Sequence, residues 1–265
     1  LAFKPEERKT WDTSRDNIIV YINGEIEDVE ITEDIARGIQ DTAEANAYIQ
    51  KAIEYDCDYV ALDSETTGLY PRDGHMIGIS LSYQRDEGVY IDTECFDEKT
   101  EELLQQLFDK KIVVFHNAKF DIAFFEYHFN FKFPRFEDTM LLHYIINENE
   151  RHGLKELAMH FTPYGDYEKP MYDWIADYCK RTGTLKASFT WDTIPFDVMK
   201  TYAALDAVVT FLLYEKFKKI KQNPKLKKVY EEILIPGCRF LIDVQDNGVP
   251  FDRIRLEQSQ EIMQE

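Results

Sequence analysis

The sequence predicts an α/β domain in which helices flank a mixed β-sheet. Three β-rich runs follow one another closely, at residues 58–63, 76–83 and 88–92, and such a succession predicts a meander of three strands. A continuous apolar run at residues 111–116 is typical of a strand that is buried on both faces. Almost all of the sequence after this run has a helical pattern, so strands and helices are expected to share one layered domain.

Helical periodicity predicts the elements that cover this sheet. Four helices are expected from the spacing of apolar residues, at residues 42–55, 100–107, about 171–180 and 195–221. Thr42 is expected to cap the first of them, and Pro195 suits the first turn of the last. The third lies inside the segment 161–194, whose prolines and glycines among aromatic residues predict an otherwise irregular structure.

Two smaller segments are expected on either side of the main domain. Residues 17–31 place β-rich runs on both sides of Asn23-Gly24, a dipeptide that suits a two-residue hairpin turn. We therefore predict an N-terminal extension with a small β-hairpin over residues 1–41, a main domain over 42–222, and a helical linker over 223–265. The chain does not begin with Met and ends within a helical pattern, so both ends are expected to be cut from a longer protein.

The composition limits the classes of protein to which the chain can belong. Asp and Glu total 50 against 31 Lys and Arg, a net charge of -19, whereas sequence-independent binding to phosphate depends on basic residues. A simple basic-patch DNA module is therefore excluded, and 44% hydrophobic residues disfavour disorder. Neither a membrane span nor a signal peptide is evident, so a cytoplasmic protein is expected. The four cysteines form no CxxC pair, which predicts free thiols.

One segment opposes the global charge. Residues 216–228 carry seven lysines in thirteen positions. The cluster is either a solvated helix end with a turn around Asn223-Pro224, or a surface patch that contacts phosphate groups.

The triplet Asp63-Ser64-Glu65 is the acidic pair that its context singles out. A composition this acidic predicts about 2.4 Asp-x-Glu triplets by chance, and the sequence has four. Asp63 ends the apolar run at 58–63, and Glu65, two residues on, faces the same way. Adjacent carboxylates repel each other unless a cation compensates, and hard divalent ions prefer oxygen ligands. Asp92-Thr93-Glu94 also follows a predicted strand and is the strongest rival.

Two acids later in the chain are further candidates. Asp121 falls about one turn into the helix after strand 111–116, where it either faces the strand ends or lies on the helix surface. Tyr202 and Asp206 are four residues apart on one helical face, among alanines that permit close packing on a sheet. An Asp among apolar neighbours needs a partner or a metal, whereas Tyr202 by itself could be an ordinary core residue.

These residues carry a resemblance to a known family. DSETTGL at residue 63, HNAKFD at 116 and YAALD at 202 resemble, in order and rough spacing, the three exonuclease motifs of the tyrosine subclass of the DEDD superfamily. The flanking sequence is similar to the proofreading domain of family A DNA polymerases, especially those of bacteriophages, over about residues 42–260. The resemblance implies a ribonuclease H-like fold and metal-dependent 3′-to-5′ hydrolysis of DNA ends to nucleoside monophosphates.

The resemblance also implies roles for individual residues. Two divalent cations, Mg²⁺ or Mn²⁺, would be held by four carboxylates: Asp63, Glu65, Asp121 and Asp206. Tyr202 would hold the attacking water. Contacts with the DNA strand are implied at five positions: Thr66, Leu69, His116, Asn117 and Phe120. His116 stands where relatives often have Gln, and Phe120 where many have Tyr, so hydrogen bonds to the strand are expected to differ there. No role is assigned to the segment 161–194.

The resemblance extends to partners. The tail from Tyr230 to Asp252 is similar to the linker that leads into the polymerase domain in this family, so a polymerase domain of the same chain is expected. A single-stranded or frayed DNA 3′ end is the expected substrate, and a monomer without a membrane partner is expected in a bacterial or phage-infected cell. Two alternatives stay open: a catalytically inert exonuclease-like scaffold, and an RNA-trimming exonuclease of the same superfamily.

Overall fold

The computed structural model describes residues 29–264, and within them it shows a six-stranded mixed β-sheet. The strands are β1 (Ala36–Ile39), β2 (Tyr59–Thr66), β3 (Met76–Gln84), β4 (Glu87–Asp92), β5 (Ile112–Phe115) and β6 (Phe136–Asp138). They lie in the order β1-β4-β3-β2-β5-β6. The pairs β2–β3 and β3–β4 are antiparallel, and the other neighbouring pairs are parallel. The predicted meander and the mixed sheet are confirmed.

Helices make up most of the remaining described chain. The α-helices are α1 (Thr42–Glu54), α2 (Glu98–Lys110), α3 (Ala118–Phe129), α4 (Thr139–Ile146), α5 (Leu154–Phe161), α6 (Lys169–Thr182), α7 (Phe196–Phe217), α8 (Pro224–Val229), α9 (Ile235–Asn247) and α10 (Arg253–Gln264). Short 3₁₀ turns occur at Thr93–Cys95, Lys186–Ser188, Trp191–Thr193 and Lys218–Gln222. A π-helical turn joins α8 to α9 at Tyr230–Leu234. Within residues 29–264, none of the helices has the length and apolar character needed to cross a lipid bilayer.

Different helices cover the two faces of the sheet. Side chains alternate between the faces of a strand, so Val60 and Leu62 of β2 pack in the core formed with α1, α2 and α3. Tyr59 of the same strand packs in the second core, where α7 lies across the other face. Because both faces are covered, the central strands are buried on both sides. The sheet thus separates two cores, and an acid on either face of β2 is enclosed by helices.

The structure confirms the four predicted helices as α1, α2, α6 and α7 and corrects several details. β2 continues to Thr66, so Asp63 lies inside the strand rather than at its end. Asp41, not Thr42, caps α1, because its carboxylate accepts a 2.9 Å hydrogen bond from the Glu44 N–H. The sequence does not predict β1 and β6, since strands this short show no clear alternation. The hairpin predicted around Asn23-Gly24 lies outside the described residues.

The residues after α7 pack back onto the domain. Tyr230 is fully buried, and its hydroxyl oxygen accepts a 2.8 Å hydrogen bond from the Asp138 N–H. Along α9, Cys238 belongs to the core that includes α3, and Arg239 donates two hydrogen bonds of 2.7 and 2.8 Å to Glu126. Buried and charged contacts therefore hold this part of the predicted linker against the sheet domain. The division of the chain at residue 222 stays a prediction.

Gly88 of β4 allows α7 to lie directly on the sheet. A Cβ atom at this position would be 2.5 Å from the Ala204 carbonyl oxygen and 2.7 Å from a methyl group of Val208. Interiors packed at crystal density cannot absorb such an overlap without movement. The missing side chain therefore sets the distance between the sheet and α7, the helix that carries Tyr202 and Asp206.

Gly88→Ala should lower the free energy of unfolding by about 1 to 3 kcal/mol, because an added methyl group would force α7 away from β4. Urea denaturation measures this change. Gly237→Ala is the matched control, since Gly237 lies in α9 with open space where its Cβ would be, and alanine there should be neutral or stabilise by up to about 1 kcal/mol. An unchanged stability of Gly88→Ala would show that α7 can shift freely and would contradict the close-contact argument.

Candidate active site

β2 presents Asp63 and Glu65 on the face of the sheet that α7 covers. The two residues are two positions apart in an extended strand, so their side chains point to the same face, as the spacing predicts. Ser64, between them, faces α3 instead. β2 pairs regularly with β3 as far as Glu65 opposite Gly78, and the register shifts just before Thr66. Such an irregularity re-aims the side chains that follow it, and here it begins directly after the second acid.

α7 brings Asp206 to the two acids of β2. One carboxylate oxygen from each of Asp63, Glu65 and Asp206 lies within 4.8 Å of the other two. Glu65 and Asp206 are only 6% and 4% exposed. Among residues 29–264, no lysine or arginine forms an ion pair with any of the three, and the charged groups that act on them are other carboxylates. The fold therefore gathers negative charge at this point without a basic partner from the described chain.

The physical state of the three acids follows from this crowding. Desolvation raises the pKa of each carboxyl well above its ordinary value, and repulsion between neighbouring acids raises it further. Ionised carboxylates in such a site need a cation, and carboxylate oxygens are the ligands that hard divalent ions prefer. The donor set therefore fits a divalent metal ion such as Mg²⁺ or Mn²⁺.

Asp121 reaches the site from the other face of β2. It lies in the first turn of α3 and is 2% exposed. Its Oδ1 accepts hydrogen bonds from the Ser64 N–H at 3.0 Å and the Ser64 hydroxyl at 2.6 Å. Burial raises the pKa of Asp121 to about 7 although these hydrogen bonds act in the opposite direction. The structure thus places three predicted ligands together and the fourth beside them, held by the residue between Asp63 and Glu65.

Asp138, a residue distant in sequence, fixes the start of α3. Its carboxylate accepts hydrogen bonds from the N–H groups of Asn117 (3.3 Å) and Ala118 (2.8 Å). It also caps α4 through Met140 (2.8 Å) and Leu141 (3.1 Å). Asn117 has a positive φ of 70°, which Asn tolerates better than most residues, and its side chain makes no capping hydrogen bond. Asp138, rather than the side chain of Asn117, therefore caps α3.

An open cleft lies over the acids, with a second pocket beside it. Eight of the ten predicted site residues line the cleft: Asp63, Glu65, His116, Asn117, Phe120, Asp121, Tyr202 and Asp206. The other two, Thr66 and Leu69, line the adjoining pocket together with Phe120 and Trp191. The structure therefore brings all ten residues to one region, as two connected sets that share Glu65 and Phe120.

His116 and Tyr202 are both neutral groups in this cleft. His116 is buried, its Nδ1 lies 2.8 Å from the Thr139 hydroxyl, and burial lowers its pKa to about 4. Burial and the nearby Asp206 raise the pKa of Tyr202 well above its ordinary value. Near neutral pH neither side chain carries a charge, so each offers only neutral hydrogen bonds to a ligand.

Three residues of the irregular segment 161–194 also reach this region, and sequence analysis assigns none of them. The hydroxyl of Tyr167 donates a hydrogen bond to Asp206. Glu168 lines the cleft, and Trp191 lines the adjoining pocket. An irregular segment has no periodic pattern that indicates which side chains point to the same face. Its richness in aromatic residues is therefore the only feature of the sequence that suggests a role in the site.

Two other candidates from the sequence have different surroundings. Asp92 caps a 3₁₀ turn by accepting a 3.0 Å hydrogen bond from the Glu94 N–H, so the rival Asp-x-Glu triplet is a surface cap.

In the lysine-rich segment 216–228, Lys221 pairs with Glu137 at 2.5 Å, and other lysines pair with nearby acids or lie over aromatic rings. These contacts favour a solvated helix end over a patch that binds phosphate.

Comparison with known proteins agrees with the fold and the acidic site. The 3′-5′ exonuclease family matches residues 36–222. The chain is 43% identical over 270 residues to the DNA polymerase of Escherichia phage T5, covering 98% of this chain and 31% of that protein. It resembles the catalytic core of RRP6 from Trypanosoma brucei, with a TM-score of 0.55 and 18% identity over 77% of this chain and 52% of the other. It also resembles Brucella melitensis NrnC with bound Mg²⁺, with a TM-score of 0.54 and 19% identity over 82% and 96%.

A ribonuclease H-like sheet carries acids at the junction of its central strand and a long helix, and the match to the 3′-5′ exonuclease family assigns the chain to a class of nucleases. Within that class, the chain belongs to the family of 3′-5′ exonuclease domains of family A DNA polymerases. The resemblance inferred from the three sequence motifs is confirmed. The chain spans just under a third, 31%, of the length of the phage T5 polymerase.

The raised pKa of Asp121 predicts a pH-dependent stability in the absence of divalent cations. The folded chain keeps this proton up to about pH 7, whereas the unfolded chain releases it near the ordinary pKa of 3.8. The resulting stabilisation is complete below about pH 4 and is lost as the pH rises through about 7. Because Asp121→Asn cannot titrate, the free energy of unfolding of the original chain relative to this variant should fall over that range.

Urea denaturation in EDTA at a series of pH values measures the difference. Asp73→Asn, a change at an exposed position outside the cleft, is the control and should follow the original chain. A difference between the original chain and Asp121→Asn that stays constant from about pH 4 to about pH 7 would contradict the burial argument.

Proposed function

We propose that this chain is a metal-dependent 3′-to-5′ exonuclease that hydrolyses DNA ends to nucleoside monophosphates and proofreads for a polymerase domain in the same full-length protein. The observation that carries the proposal is the group of three buried carboxylates within 4.8 Å, without a basic partner among the described residues. Membership of the 3′-5′ exonuclease family supports the reaction class. The phage T5 relative, a DNA polymerase, supports DNA as the substrate and a polymerase domain as the partner.

Four acids are the proposed ligands of two divalent cations, Mg²⁺ or Mn²⁺. Asp63, Glu65 and Asp206 would hold one cation, and Asp63 together with Asp121 would hold the second. Such cations, when bound, activate water and offset the charge that develops on the phosphate. The fold neighbour NrnC, whose structure has bound Mg²⁺, supports this choice of metal.

Tyr202 is the proposed contact for the attacking water. It lies one helical turn before Asp206 on α7 and lines the cleft over the acids. Burial raises the pKa of its phenol, so the hydroxyl stays protonated near neutral pH. Tyr202 would therefore orient the water by hydrogen bonding rather than remove its proton. His116 and Asn117, on the opposite side of the cleft, are proposed to contact the sugar-phosphate strand.

The pocket beside the acids is the proposed site for the terminal base. Leu69 is 77% exposed on its rim, and Phe120 and Trp191 supply aromatic surface. Bases stack on aromatic side chains with little sequence preference, which suits an enzyme that must remove any nucleotide. A base still paired in a duplex could not enter this pocket. The substrate is therefore a single-stranded or frayed 3′ end, and a mismatched end frays more readily than a paired one.

The two alternatives from the sequence receive less support. An inert scaffold would not need to retain four acids and a tyrosine around one cleft, at the cost of buried electrostatic repulsion. An RNA-trimming enzyme fits the fold equally well, but the phage T5 relative, 43% identical over 98% of this chain, is a DNA polymerase. A phage relative also supports a bacterial or phage-infected cell as the place of action, with the chain acting as a monomer.

Asp63→Ala combined with Glu65→Ala should abolish release of nucleoside monophosphates from single-stranded DNA in Mg²⁺. A loss of more than about 100-fold is expected, because even the outer partners of metal ligands cost 10- to 100-fold. EDTA should have the same effect on the original chain. The double variant should remain folded by circular dichroism, since it removes repulsion rather than apolar contacts.

The matched control for this test is Asp92→Ala with Glu94→Ala, the rival triplet on the surface, which should keep full activity. Nuclease activity retained by the Asp63 and Glu65 double variant would exclude the acidic cluster as the catalytic centre. A parallel assay with RNA of the same sequence separates the substrates, since faster trimming of RNA would favour the RNA-trimming alternative.

Trp191→Ala should raise the KM for single-stranded DNA by roughly fivefold to 100-fold, with a smaller effect on kcat, because one base-aromatic stack contributes about 1 to 3 kcal/mol. Initial rates over a range of oligonucleotide concentrations measure both constants. Trp174→Ala is the control, since Trp174 stacks on Tyr178 in α6 and does not line the pocket. Equal KM values for the Trp191 variant and the original chain would remove Trp191 from the proposed base site.

A further inference from the structure

Tyr167 supports Asp206 from behind the cleft. The Tyr167 side chain is 5% exposed, and its hydroxyl donates a hydrogen bond to Oδ1 of Asp206. Its ring stacks on that of Tyr202, with centroids 6.3 Å apart and planes at 28°. Tyr202 lines the cleft, whereas Tyr167 lines neither the cleft nor the adjoining pocket. The two phenol rings thus lie against each other, and both are close to the Asp206 carboxylate.

The hydrogen bond from Tyr167 restricts rotation of the Asp206 carboxyl group. The last torsion of an Asp side chain has a broad energy profile, so rotation of the carboxyl plane is weakly opposed by the side chain itself. Asp206 is also repelled by Asp63 and by Glu168. A buried donor on Oδ1 opposes this repulsion and fixes one oxygen of a carboxylate that lies beside those of Asp63 and Glu65.

We propose that Tyr167 is a positioning residue that orients the Asp206 carboxylate for binding a divalent cation. The inference rests on the proposed function, because the cation is part of it. Hydrogen bonds from groups outside the ligand set commonly orient metal ligands, and their loss weakens metal binding by about 10- to 100-fold. Tyr167 supplies such a bond from the irregular segment between α5 and α6, to which the sequence motifs assign no role.

The surroundings of Tyr167 hold the phenol in place. The next residue, Glu168, forms a 3.0 Å ion pair with Lys155 of α5. Lys155 also lies 3.5 Å from Asp166, the residue before Tyr167. The segment is therefore tied to α5 on both sides of the tyrosine. The Tyr167 ring itself packs in the core beneath α7, so its apolar part has a structural role that is separate from that of the hydroxyl.

Tyr167→Phe separates the two roles, because it keeps the ring and removes the hydroxyl. Calorimetric titration of the 265-residue chain with Mn²⁺ should give a Kd about 10- to 100-fold higher for this variant. Tyr164→Phe is the matched control, since Tyr164 is buried in the same segment and its hydroxyl has no hydrogen-bond partner among residues 29–264. Its Kd should equal that of the original chain. Raising the Mn²⁺ concentration should restore the rate of monophosphate release by Tyr167→Phe.

Three other outcomes would contradict the positioning role of Tyr167. If Tyr167→Phe binds Mn²⁺ as tightly as the original chain while Asp206→Ala does not, Tyr167 has no positioning role and the proposed function stands. If the original chain binds no Mn²⁺, both the inference and the metal-dependent function fail. Thermal unfolding in EDTA should give similar Tm values for the two Phe variants. A much lower Tm for Tyr167→Phe alone would show that the hydroxyl supports the fold rather than the metal site.

Discussion

Electrostatic repulsion between buried carboxylates is the constraint on which this structure depends. One carboxylate oxygen from each of Asp63, Glu65 and Asp206 lies within 4.8 Å of the others, and burial of Glu65 and Asp206 weakens the screening of their charges by water. Charges held in this way destabilise a fold unless other interactions hold the elements that carry them. Here the supporting interactions are the two apolar cores on either side of the sheet, which clamp β2 between α3 and α7. The same repulsion would favour binding of a divalent cation between the carboxylates. The interaction that destabilises the fold would therefore contribute to the affinity of the site for the cation.

Cations at these acids would also explain how so acidic a chain acts on nucleic acid under the proposed function. With a net charge of -19, its surface as a whole repels phosphate. The lysines at 216–228 do not reverse this, since several of them are paired with acids of the same domain. Under the proposed function, attraction for a DNA end would come from cations at the acidic cluster and from stacking on Phe120 and Trp191. Both would act only on a strand end that reaches the cleft, which would favour frayed ends over intact duplex.

The proposed ligands and their supports come from different kinds of structure. Asp63 and Glu65 lie on the central strand, and Asp206 lies on a helix packed along its length, so their positions vary little. Tyr167 and Trp191 come from the segment 161–194, in which Lys155 of α5 pairs with the residues on both sides of Tyr167. Binding residues are often carried by connecting segments on a rigid scaffold, and here the strand and helix that carry the acids form that scaffold.

The sequence by itself determined the features that depend on local periodicity. Alternation along β2 puts Asp63 and Glu65 on one face, helical spacing puts Tyr202 beside Asp206, and the order of strands and helices defines the α/β class. Only the tertiary structure decided which distant groups meet. The capping of α3 by Asp138, 20 residues after Ala118, and the bond from Tyr167 to Asp206, 39 residues on, are examples. No local pattern encodes such contacts, because packing of whole elements brings the partners together.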